Sequence, residues 1–434
     1  MTHEEKVARL ASQIARHRNG APLVLHKRSV SHEVPKSRWD KAATSATIDL
    51  SDLDDVLSID PVERTCVAEP GVTFCDLVER TLRYDLVPLV VPELKTITIG
   101  GAVSGCSLES TSFRFGGFHD TCLEYEVLTA KGERLVCTPD NENKLVFQMV
   151  HGTFGTLAII TWLKFRLLPA KPYVKIVYET HRDLEAYKAA IWRHFERRDV
   201  DFMDGIIHSP DKLVLSVGEF VDAAPYTHRY DWVRVYYRST ARRRDDYLRT
   251  PDYFFRYDHG VTNVHPKSFV GRLLLGRFLG SAQLLRLAER FDWLLPRRRP
   301  RVTVDVFVPF SKLTEFFDWY VAEVDHFPLW CVPYRRMRDY EWLSPRVLAA
   351  TRDPLFIDLA IYGMKQAPGR NTYRLIEEEL ARIGGVKSLI SHNYYSRDEF
   401  WQTWNKDTYD RVKARTDPDN ALCDLYDKTC PARR

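Results

Sequence analysis

The sequence lacks the features that define several large protein classes. Its eight cysteines are scattered through 434 residues without a CxxC pair, which favours reduced thiols in a cytoplasmic protein over a disulfide framework or a zinc site. Its apolar runs are well short of the roughly 20 residues of a membrane-spanning helix. The first residues, MTHEEKVARLASQIARH, are typical of a polar amphipathic helix and not of a signal peptide. A net charge of +4 is small for this length and gives no indication of nucleic-acid binding.

Two common nucleotide-binding motifs are also missing, GxGxxG and the P-loop GxxxxGK[ST]. Residues 92–117, PELKTITIGGAVSGCSLESTSFRFGG, instead combine glycines with hydroxyls. Glycine lets backbone amides approach a ligand, and consecutive amides can form an anion-binding nest. The stretch predicts a diphosphate cradle, with an ordinary glycine-rich turn as the alternative. The candidate cofactor-binding residues in it are Thr98, Gly100, Gly101, Ser104, Gly105, Cys106 (through its backbone amide), Ser107, Ser110, Ser112 and Gly116.

The segments on either side of the glycine stretch make the prediction more specific. VAEPGV at 67–72 precedes it, and AKG at 130–132 and GTFGTLAIIT at 152–161 follow it. This order resembles the FAD-binding domain of the vanillyl-alcohol-oxidase (PCMH-type) superfamily. The resemblance implies FAD as the cofactor and adds Gly152, Gly155 and Ile160 to the cofactor-binding residues.

Further stretches resemble one branch of that superfamily, the Δ24-sterol reductases. They are IGGAVSGCSLESTSFRFGGFHDTCLEYEV, LLPAKPYVKIVYE, and the ending SRDEFWQ with LYDKTCPARR. The resemblance implies NADPH as hydride donor and an isolated lipid C=C bond as substrate. This sequence departs from the family in lacking the N-terminal membrane helix of eukaryotic members.

A second departure concerns the superfamily's first phosphate loop, RGGGHS, which appears here as HKRSVSHEV without glycines. Lys27 and Arg28 could neutralise diphosphate charge in place of the missing amides. Surface roles for both are an equal alternative. His32 lies about where some members attach flavin covalently, and a solvated loop histidine is the favoured interpretation.

The fold class expected from these patterns is α+β. We expect a two-subdomain FAD-binding domain over residues 1–170, an α+β cap over the substrate at 171–390, and a tail at 391–434 that returns to the flavin. Apolar alternation predicts cap strands, and amphipathic spacing predicts cap helices. The predicted strands are 174–178, 203–208, 213–217, 232–237, 302–308 and 356–362, and the predicted helices are 184–197, 312–324 and 373–383.

A basic amphipathic segment spans residues 268–301, SFVGRLLLGRFLGSAQLLRLAERFDWLLPRRRPR. Apolar residues bordered by arginines suit a helix pair that lies on an anionic membrane surface. The alternative is a helix buried against the cap with arginines on its wet face. The expected localisation is therefore cytoplasmic, with possible peripheral association to the inner face of the membrane.

Reduction of an unactivated C=C bond needs a strong proton donor, because protonation must give a tertiary cation that a hydride then quenches. A carboxylic acid kept neutral by apolar surroundings, or a histidinium, fits this role better than a phenol. Asp358 is the first candidate, since FIDLAIYG leaves it alone among apolar neighbours; a solvated or ion-paired acid is the alternative. The other catalytic candidates are Tyr237, His392 and Tyr395, each of which could equally belong to a packed network.

The resemblance and these candidates together favour an FAD-dependent ene reductase, and the resemblance implies NADPH as its hydride donor. Its substrate is either a sterol side-chain Δ24 bond or a methylene-branched fatty acyl chain, and the missing anchor helix favours the acyl chain. A second hypothesis is an FAD-dependent alcohol or sugar oxidase, which oxygen would reoxidise. A third is a flavin-binding or lipid-docking protein that has lost its catalytic site.

Overall fold

The computed structural model of the chain describes residues 1–16, 22–27, 46–260 and 301–430. Helices and mostly antiparallel sheets are mixed along it, so the α+β prediction is confirmed. Arg28, His32 and residues 268–300 of the basic segment lie outside the described residues.

The chain begins with helix α1 (His3–Arg16), which packs on a small parallel sheet of β1 (Leu23–His26) and β2 (Ala46–Asp49). The apolar face of α1 is buried because Val7, Leu10 and Ile14 recur at helical spacing. This unit forms a core of its own beside the larger sheets.

The N-terminal sheet comes next and is antiparallel. Its long strand β8 pairs with β4, β5 and β6, while β3 and β7 lie at the edges. The strands are β3 (Val56–Asp60), β4 (Thr65–Ala68), β5 (Leu86–Pro88), β6 (Cys122–Leu128), β7 (Arg134–Cys137) and β8 (Ile159–Pro169). The helices between them are α2 (Phe74–Thr81), α3 (Ile99–Ser104), α4 (Ser112–Phe115) and α5 (Lys144–Met149).

A second, eight-stranded antiparallel sheet follows, which we call the cap sheet. Its strands are β9 (Tyr173–His181), β10 (Phe202–Ser209), β11 (Lys212–Val221), β12 (Asp245–Arg249), β13 (Val302–Pro309), β14 (Leu329–Arg335), β15 (Leu355–Met364) and β16 (Val386–Lys387), in the order β12-β9-β11-β10-β14-β15-β13-β16. Its helices are α6 (Leu184–Arg197), α7 (Tyr236–Thr240), α8 (Thr250–Phe254), α9 (Leu313–Glu323), α10 (Pro345–Ala350) and α11 (Thr372–Ile383). The first sheet ends at Pro169 and the second begins at Tyr173, but domain boundaries near 170 and 390 stay predictions.

The two faces of the cap sheet have different partners. Alternate residues such as Val304, Val306 and Ile357 form one core with α6, α9 and α11. The residues between them, such as Trp330 and Phe356, join the core of the N-terminal sheet. We call this second side the inner face; alternation also places Asp204, Asp305, Phe307, Tyr334, Asp358 and Tyr362 on it.

The tail contains α12 (Arg397–Thr403), α13 (Lys406–Thr416) and α14 (Leu425–Thr429). It packs back on the N-terminal region, where the Lys413 Nζ donates to the Thr156 carbonyl at 2.7 Å and the Ala130 amide donates to the Thr416 carbonyl at 2.9 Å. Among the described helices, none has the length and apolar character needed to cross a membrane.

One predicted cap strand is wrong, and three observed cap strands, β12, β14 and β16, were not predicted. Residues 232–237 form a turn that leads into α7, because the Asp231 carboxylate accepts the amides of Val233 and Arg234 at 2.8 Å and competes with strand pairing. Strand β14 was not predicted. It contains Pro333, a residue that normally argues against a central strand.

Candidate functional site

A cleft of about 870 Å³ lies between the glycine stretch, the inner face and the start of the tail. Its floor includes Gly105, Cys106 and Gly152, so the predicted cradle opens into it. Most of the wall is apolar or aromatic. The residues that form this wall include Phe154, Phe307, Tyr334, Tyr340, Trp342, Leu343, Val347, Leu348, Phe356, Leu389 and Trp404.

The glycine stretch folds differently from the nest of free amides that we expected. Residues 99–104 form helix α3, and the Thr98 hydroxyl caps it by accepting the Gly101 amide. The amides of Ile99, Gly100 and Gly105 also donate to carbonyls inside the protein. The cradle therefore offers open backbone surface and side chains to a ligand, because a capped helical turn uses its own amides.

Three glycines keep this surface open. A Cβ on Gly101 would meet only the Thr98 hydroxyl at 3.1 Å and the Lys27 Nζ at 3.9 Å. Gly152 has a φ of +67°, which a side chain rarely adopts, and a Cβ there would lie 3.2 Å from the Cys106 Sγ. A Cβ on Gly105 would lie 3.3 Å from the Gly101 carbonyl oxygen.

The predicted hydroxyl ligands divide into two groups. Ser110 and Ser112 are buried and engaged, since the Tyr253 hydroxyl donates to Ser110 at 3.1 Å and the Glu109 amide donates to Ser112 at 2.9 Å. In the described part of the chain, the hydroxyls of Ser104 and Ser107 have no hydrogen-bond partner. The second pair is better placed to donate to a diphosphate.

Gly116, Gly155 and Ile160 contribute shape and not polar contacts. A Cβ on Gly116 would meet the Asp120 carboxylate at 2.3 Å, and one on Gly155 would meet Leu25 at 2.9 Å. Both glycines have positive φ, so each turn requires a residue without a side chain. Ile160 is buried on β8.

Lys27 supplies a cation at this end of the cleft. Its Nζ approaches the open side of Gly101, as described above. Although Lys27 keeps an exposed surface, the surrounding protein desolvates its ammonium, and this effect, followed by repulsion from Lys428, lowers its pKa. An anionic ligand would offset both the desolvation of the Lys27 ammonium and its repulsion from Lys428.

Together these features fit a diphosphate-bearing cofactor. Gly105 and Gly152 line the apolar cleft, Ser104 and Ser107 flank Gly105 and Cys106 in sequence, and the Lys27 ammonium lies beside Gly101, one helical turn before Gly105. The residues that would hold FAD here are Lys27, Gly101, Ser104, Gly105, Ser107 and Gly152.

Asp358 lies on the inner face and is 2% exposed. Its cross-strand partner Phe307 and the residue two before it, Phe356, both line the cleft. Burial raises the pKa of Asp358 well above its usual value, and the nearby Asp305 and Glu93 carboxyls raise it further. Among the described residues, its Oδ1 has no hydrogen-bond partner. The acid that was predicted to lie among apolar neighbours is thus buried beside the cleft, and its proton-donor role is still a prediction.

Two more acids belong to the same cluster, and sequence reasoning missed them. Burial raises the pKa of Asp305 to about 6, with Tyr362 and Lys387 acting in the opposite direction. Burial, followed by repulsion from Glu109 and Asp305, raises the pKa of Glu93 to about 8. The alternation of residues along β13 predicts that Asp305 lies on one face of a strand. No local feature of the sequence predicts that β13 pairs with β15, which brings Asp305 close to Asp358.

His392 and Tyr395 gather around Lys387 and not around Asp358. The Lys387 ammonium is buried, donates to the His392 carbonyl at 3.0 Å, and lies 5.9 Å from the centre of the Tyr395 ring. Burial lowers the pKa of His392 and raises that of Tyr395. Lys387 lines the cleft, so this group forms its tail-side wall.

Tyr237 lies in a different environment, on α7. Its hydroxyl accepts the Arg238 Nε at 3.1 Å, and the Arg238 guanidinium stacks over its ring at 5.5 Å. Within the described residues, no hydrogen bond, ion pair or ring contact joins Tyr237 to Asp358, His392 or Tyr395. The structure therefore does not bring the four catalytic candidates into one group.

Arg256 ties the glycine stretch to the cap. Its Nη2 lies 2.9 Å from Glu109, just after the cradle, and 3.1 Å from Asp204 on β10. The guanidinium is buried and stacks at 4.2 Å over Tyr253 and 4.8 Å over Tyr257. Glu109 is thus engaged by an arginine.

A histidine next to the cradle was also missed. His119 lines the cleft beside Cys106, and neither ring nitrogen has a hydrogen-bond partner, although its Nε2 lies 3.3 Å from Asp120. Asp120 accepts the Tyr340 hydroxyl at 2.9 Å and that of Tyr334 at 3.3 Å. Burial lowers the pKa of His119. The sequence feature that could have identified His119 is FHDT, directly after Gly117.

Comparisons with known proteins agree with this site. A family model described as "FAD binding domain" matches residues 4–138. The human Δ24-sterol reductase is 26% identical over 401 residues, which cover 88% of this chain and 77% of the relative. The Δ24-sterol reductase homologue dhcr-24 of Caenorhabditis elegans is 26% identical over 425 residues, with 88% and 78% covered. Cytokinin dehydrogenase 6 of Oryza sativa is 23% identical over 383 residues, with 80% and 69% covered.

The matched FAD-binding domain contains the glycine cradle, and the sterol reductase relatives extend through the cap sheet. The cofactor is therefore FAD, and the protein is an FAD-dependent oxidoreductase. The chain is thus similar to the Δ24-sterol reductases over most of its length, and its residues 4–138 match an FAD-binding domain.

Proposed function

We propose that this protein reduces an isolated C=C bond of a lipid, with NADPH as the hydride donor. The observation that carries the proposal is the composition of the cleft. It joins a cradle for FAD to a wall of aromatic and aliphatic side chains, and behind that wall lies a buried acid whose pKa is raised by burial. A polar sugar or amine would find few partners along such a wall.

Bound FAD would supply hydride transfer between NADPH and the substrate carbon. The chain's own residues have three tasks. Phe307, Trp342 and Phe356 exclude water from the alkene and offer aromatic faces to a developing cation. Asp358 would supply the proton, because burial raises its pKa and so favours the protonated carboxyl. Lys387 and the tail close the cleft on the opposite side.

The proposed substrate class follows from two considerations. A Δ24 sterol and a methylene-branched acyl chain both give tertiary cations, so one site serves either. The relatives are named sterol reductases, whereas the sequence reasoning favoured the acyl chain. We keep the methylene-branched acyl chain as the first substrate to test and the Δ24 sterol as the second.

The test is product analysis by mass spectrometry. The FAD-loaded protein is incubated anaerobically with NADPH and either a methylene-branched phospholipid or a Δ24 sterol. We expect one lipid to gain two hydrogens while NADPH is consumed in equal amount. Consumption of NADPH without a reduced lipid in either arm would contradict the proposal.

The cytokinin dehydrogenase relative makes an oxidising enzyme of the same superfamily the second candidate. It would be supported if an alcohol, sugar or amine, and not NADPH, bleached the flavin. Oxygen or another electron acceptor would then restore the colour. The two candidates therefore differ in which compound donates electrons.

We also propose a cytoplasmic protein that associates peripherally with anionic membranes through residues 268–301. The support is the sequence alone, with its apolar residues bordered by arginines. A deletion of residues 297–299 should weaken cosedimentation with anionic vesicles. Unchanged cosedimentation, with vesicles of neutral lipid as the baseline, would reject membrane docking.

A further inference from the structure

Asp305 and Asp358 are neighbours on the inner face of the cap sheet. Strand β13 pairs with β15 so that Asp358 is opposite Phe307 and Asp305 is opposite Ala360. The two acids are thus offset by two residues on adjacent strands, and side chains in that relation lie on one face within reach of each other. Asp358 is buried, and Asp305 is half-buried.

Their hydrogen bonding differs. The Tyr362 hydroxyl donates to the Asp305 Oδ1 at 2.6 Å. The Asp358 Oδ1 is buried and has no partner. Tyr362 is four residues after Asp358 on β15, so alternation places all three side chains on the inner face.

We propose that Asp305 is the positioning residue that keeps Asp358 in its neutral, proton-donating form, and that Tyr362 holds Asp305 in place. The transfer of this proton to a substrate rests on the proposed function. The residence of the proton on Asp358, and not on Asp305, does not. Asp305 itself transfers nothing to the substrate.

The charged and titratable groups around the pair support this assignment. Two adjacent buried carboxyls cannot both ionise at low cost. Asp305 has a phenol donor, and the Lys387 ammonium also favours its ionised form. Asp358 faces Asp305 and Glu93, both of which oppose its ionisation, and only the Val306 amide favours it. Cys331 on β14 is a further neighbour and is neutral, because burial raises the pKa of its thiol to about 12.

The proton balance follows directly. Each turnover adds one hydride, supplied by NADPH, and one proton, supplied by Asp358, to the two carbons of the alkene. Asp358 then becomes a carboxylate beside the ionised Asp305. This repulsion favours the uptake of a proton from water, which restores the neutral acid before the next substrate binds.

The test is an infrared titration of the protonated carboxyl stretch in the FAD-loaded protein. The Asp358→Asn variant identifies the band that belongs to Asp358. In Asp305→Asn we expect the midpoint of this band to fall by about 1 to 3 pH units, because a neighbouring negative charge is gone. In Tyr362→Phe we expect the band of Asp305 to titrate at a higher pH than in wild type, because the phenol that favours the ionised form is gone.

The matched control is Asp246→Asn. Asp246 is a buried aspartate on β12, at the other end of the cap sheet, and it also accepts a tyrosine hydroxyl, that of Tyr230. In this variant we expect the Asp358 band to titrate with the same midpoint as in wild type. An Asp358 midpoint in Asp305→Asn that equals the wild-type value would overturn the proposal. If Asp305→Asn does not fold, an unchanged Asp305 midpoint in Tyr362→Phe would overturn it instead.

A second readout separates this inference from the proposed function. If the lipid reoxidises the flavin, the rate of that reaction should decline at high pH as Asp358 loses its proton. In Asp305→Asn, the pH at which the rate declines should fall by the same number of pH units as the infrared midpoint. If no lipid reoxidises wild-type flavin, the proposed function fails, and the infrared midpoints still decide the role of Asp305.

Discussion

At the scale of single residues, the cleft depends on positions that have no side chain. The open sides of Gly101 and Gly152 face the space where the diphosphate would lie, next to Lys27 and Cys106 respectively. Substitution there should act on cofactor binding and not on the surrounding core.

Gly101→Leu should remove FAD from a folded protein. The added side chain would extend from a Cβ that meets only Thr98 and Lys27, and so would fill the cradle. The measurement is visible flavin absorbance per protein, with the unfolding temperature as a check of folding. Gly369→Asn is the control, because a Cβ there meets nothing within 4 Å and asparagine tolerates its positive φ. A yellow Gly101→Leu protein would reject the cradle.

A histidine remote from the cleft should make stability depend on pH. His194 lies 3.1 Å from Glu179 and 2.8 Å from Asp199, and these carboxylates raise its pKa above 6.5, with hydrogen bonding to Glu179 the main cause. The ion pairs stabilise the fold below the unfolded pKa, and the stabilisation is lost as pH rises through the folded pKa. His194→Gln should therefore cost about 1 kcal/mol near pH 6 and almost nothing near pH 9, by urea unfolding. An equal loss at both pH values would contradict this account.

At the scale of elements, α10 and the segment before it form one wall of the cleft. Val347 in α10 lines the cleft and packs partly buried against the main core. Because this wall is apolar, it should recognise lipid and leave the cradle unaffected.

Val347→Trp should separate the two half-reactions. The larger ring would occupy lipid space, so reoxidation by lipid should slow by about tenfold or more, equivalent to about 1.4 kcal/mol, while reduction by NADPH stays unchanged. Val136→Trp on β7, where the valine is exposed, is the control. Equal slowing of both half-reactions would show that the cleft wall does not discriminate between the two substrates.

The helices and strands also show how much of the fold could be predicted from the sequence. Helix 184–197 was predicted with its observed bounds, because its spacing and its cap at Asp183 are local signals. The order of the cap strands was not accessible, since β14 lies between β10 and β15 through contacts distant in sequence. For the same reason Asp358 was predicted as an acid among apolar neighbours, but Asp305 and Glu93 were not predicted to surround it.

At the scale of the whole molecule, a buried arginine holds the cradle and the cap together. Arg256 joins Glu109 after the glycine stretch to Asp204 on the cap sheet, and the Met203 amide donates to the Ser110 carbonyl at 2.7 Å beside it. Burial raises the pKa of Glu109, while the arginine lowers it. Arg256 therefore contributes to holding the two sheets in their relative position.

Arg256→Met should destabilise the protein by about 3–5 kcal/mol, because two buried carboxyls lose their counter-charge. The loss should grow as pH rises and the Glu109 carboxyl, whose pKa burial raises, ionises. The triple variant Arg256→Met, Glu109→Gln, Asp204→Asn should recover part of the loss in urea unfolding. A triple variant no more stable than Arg256→Met would show that ring packing, and not charge, is the main contribution.

The most direct test of the central claim is anaerobic stopped-flow absorbance at the flavin band. NADPH is mixed with the FAD-loaded protein first, and a methylene-branched phospholipid or a Δ24 sterol second. We predict bleaching by NADPH and recovery of the flavin colour with one of the two lipids, and a much slower recovery in Asp358→Asn. Bleaching by an alcohol, sugar or amine but not by NADPH would contradict the account and make the protein an oxidising enzyme.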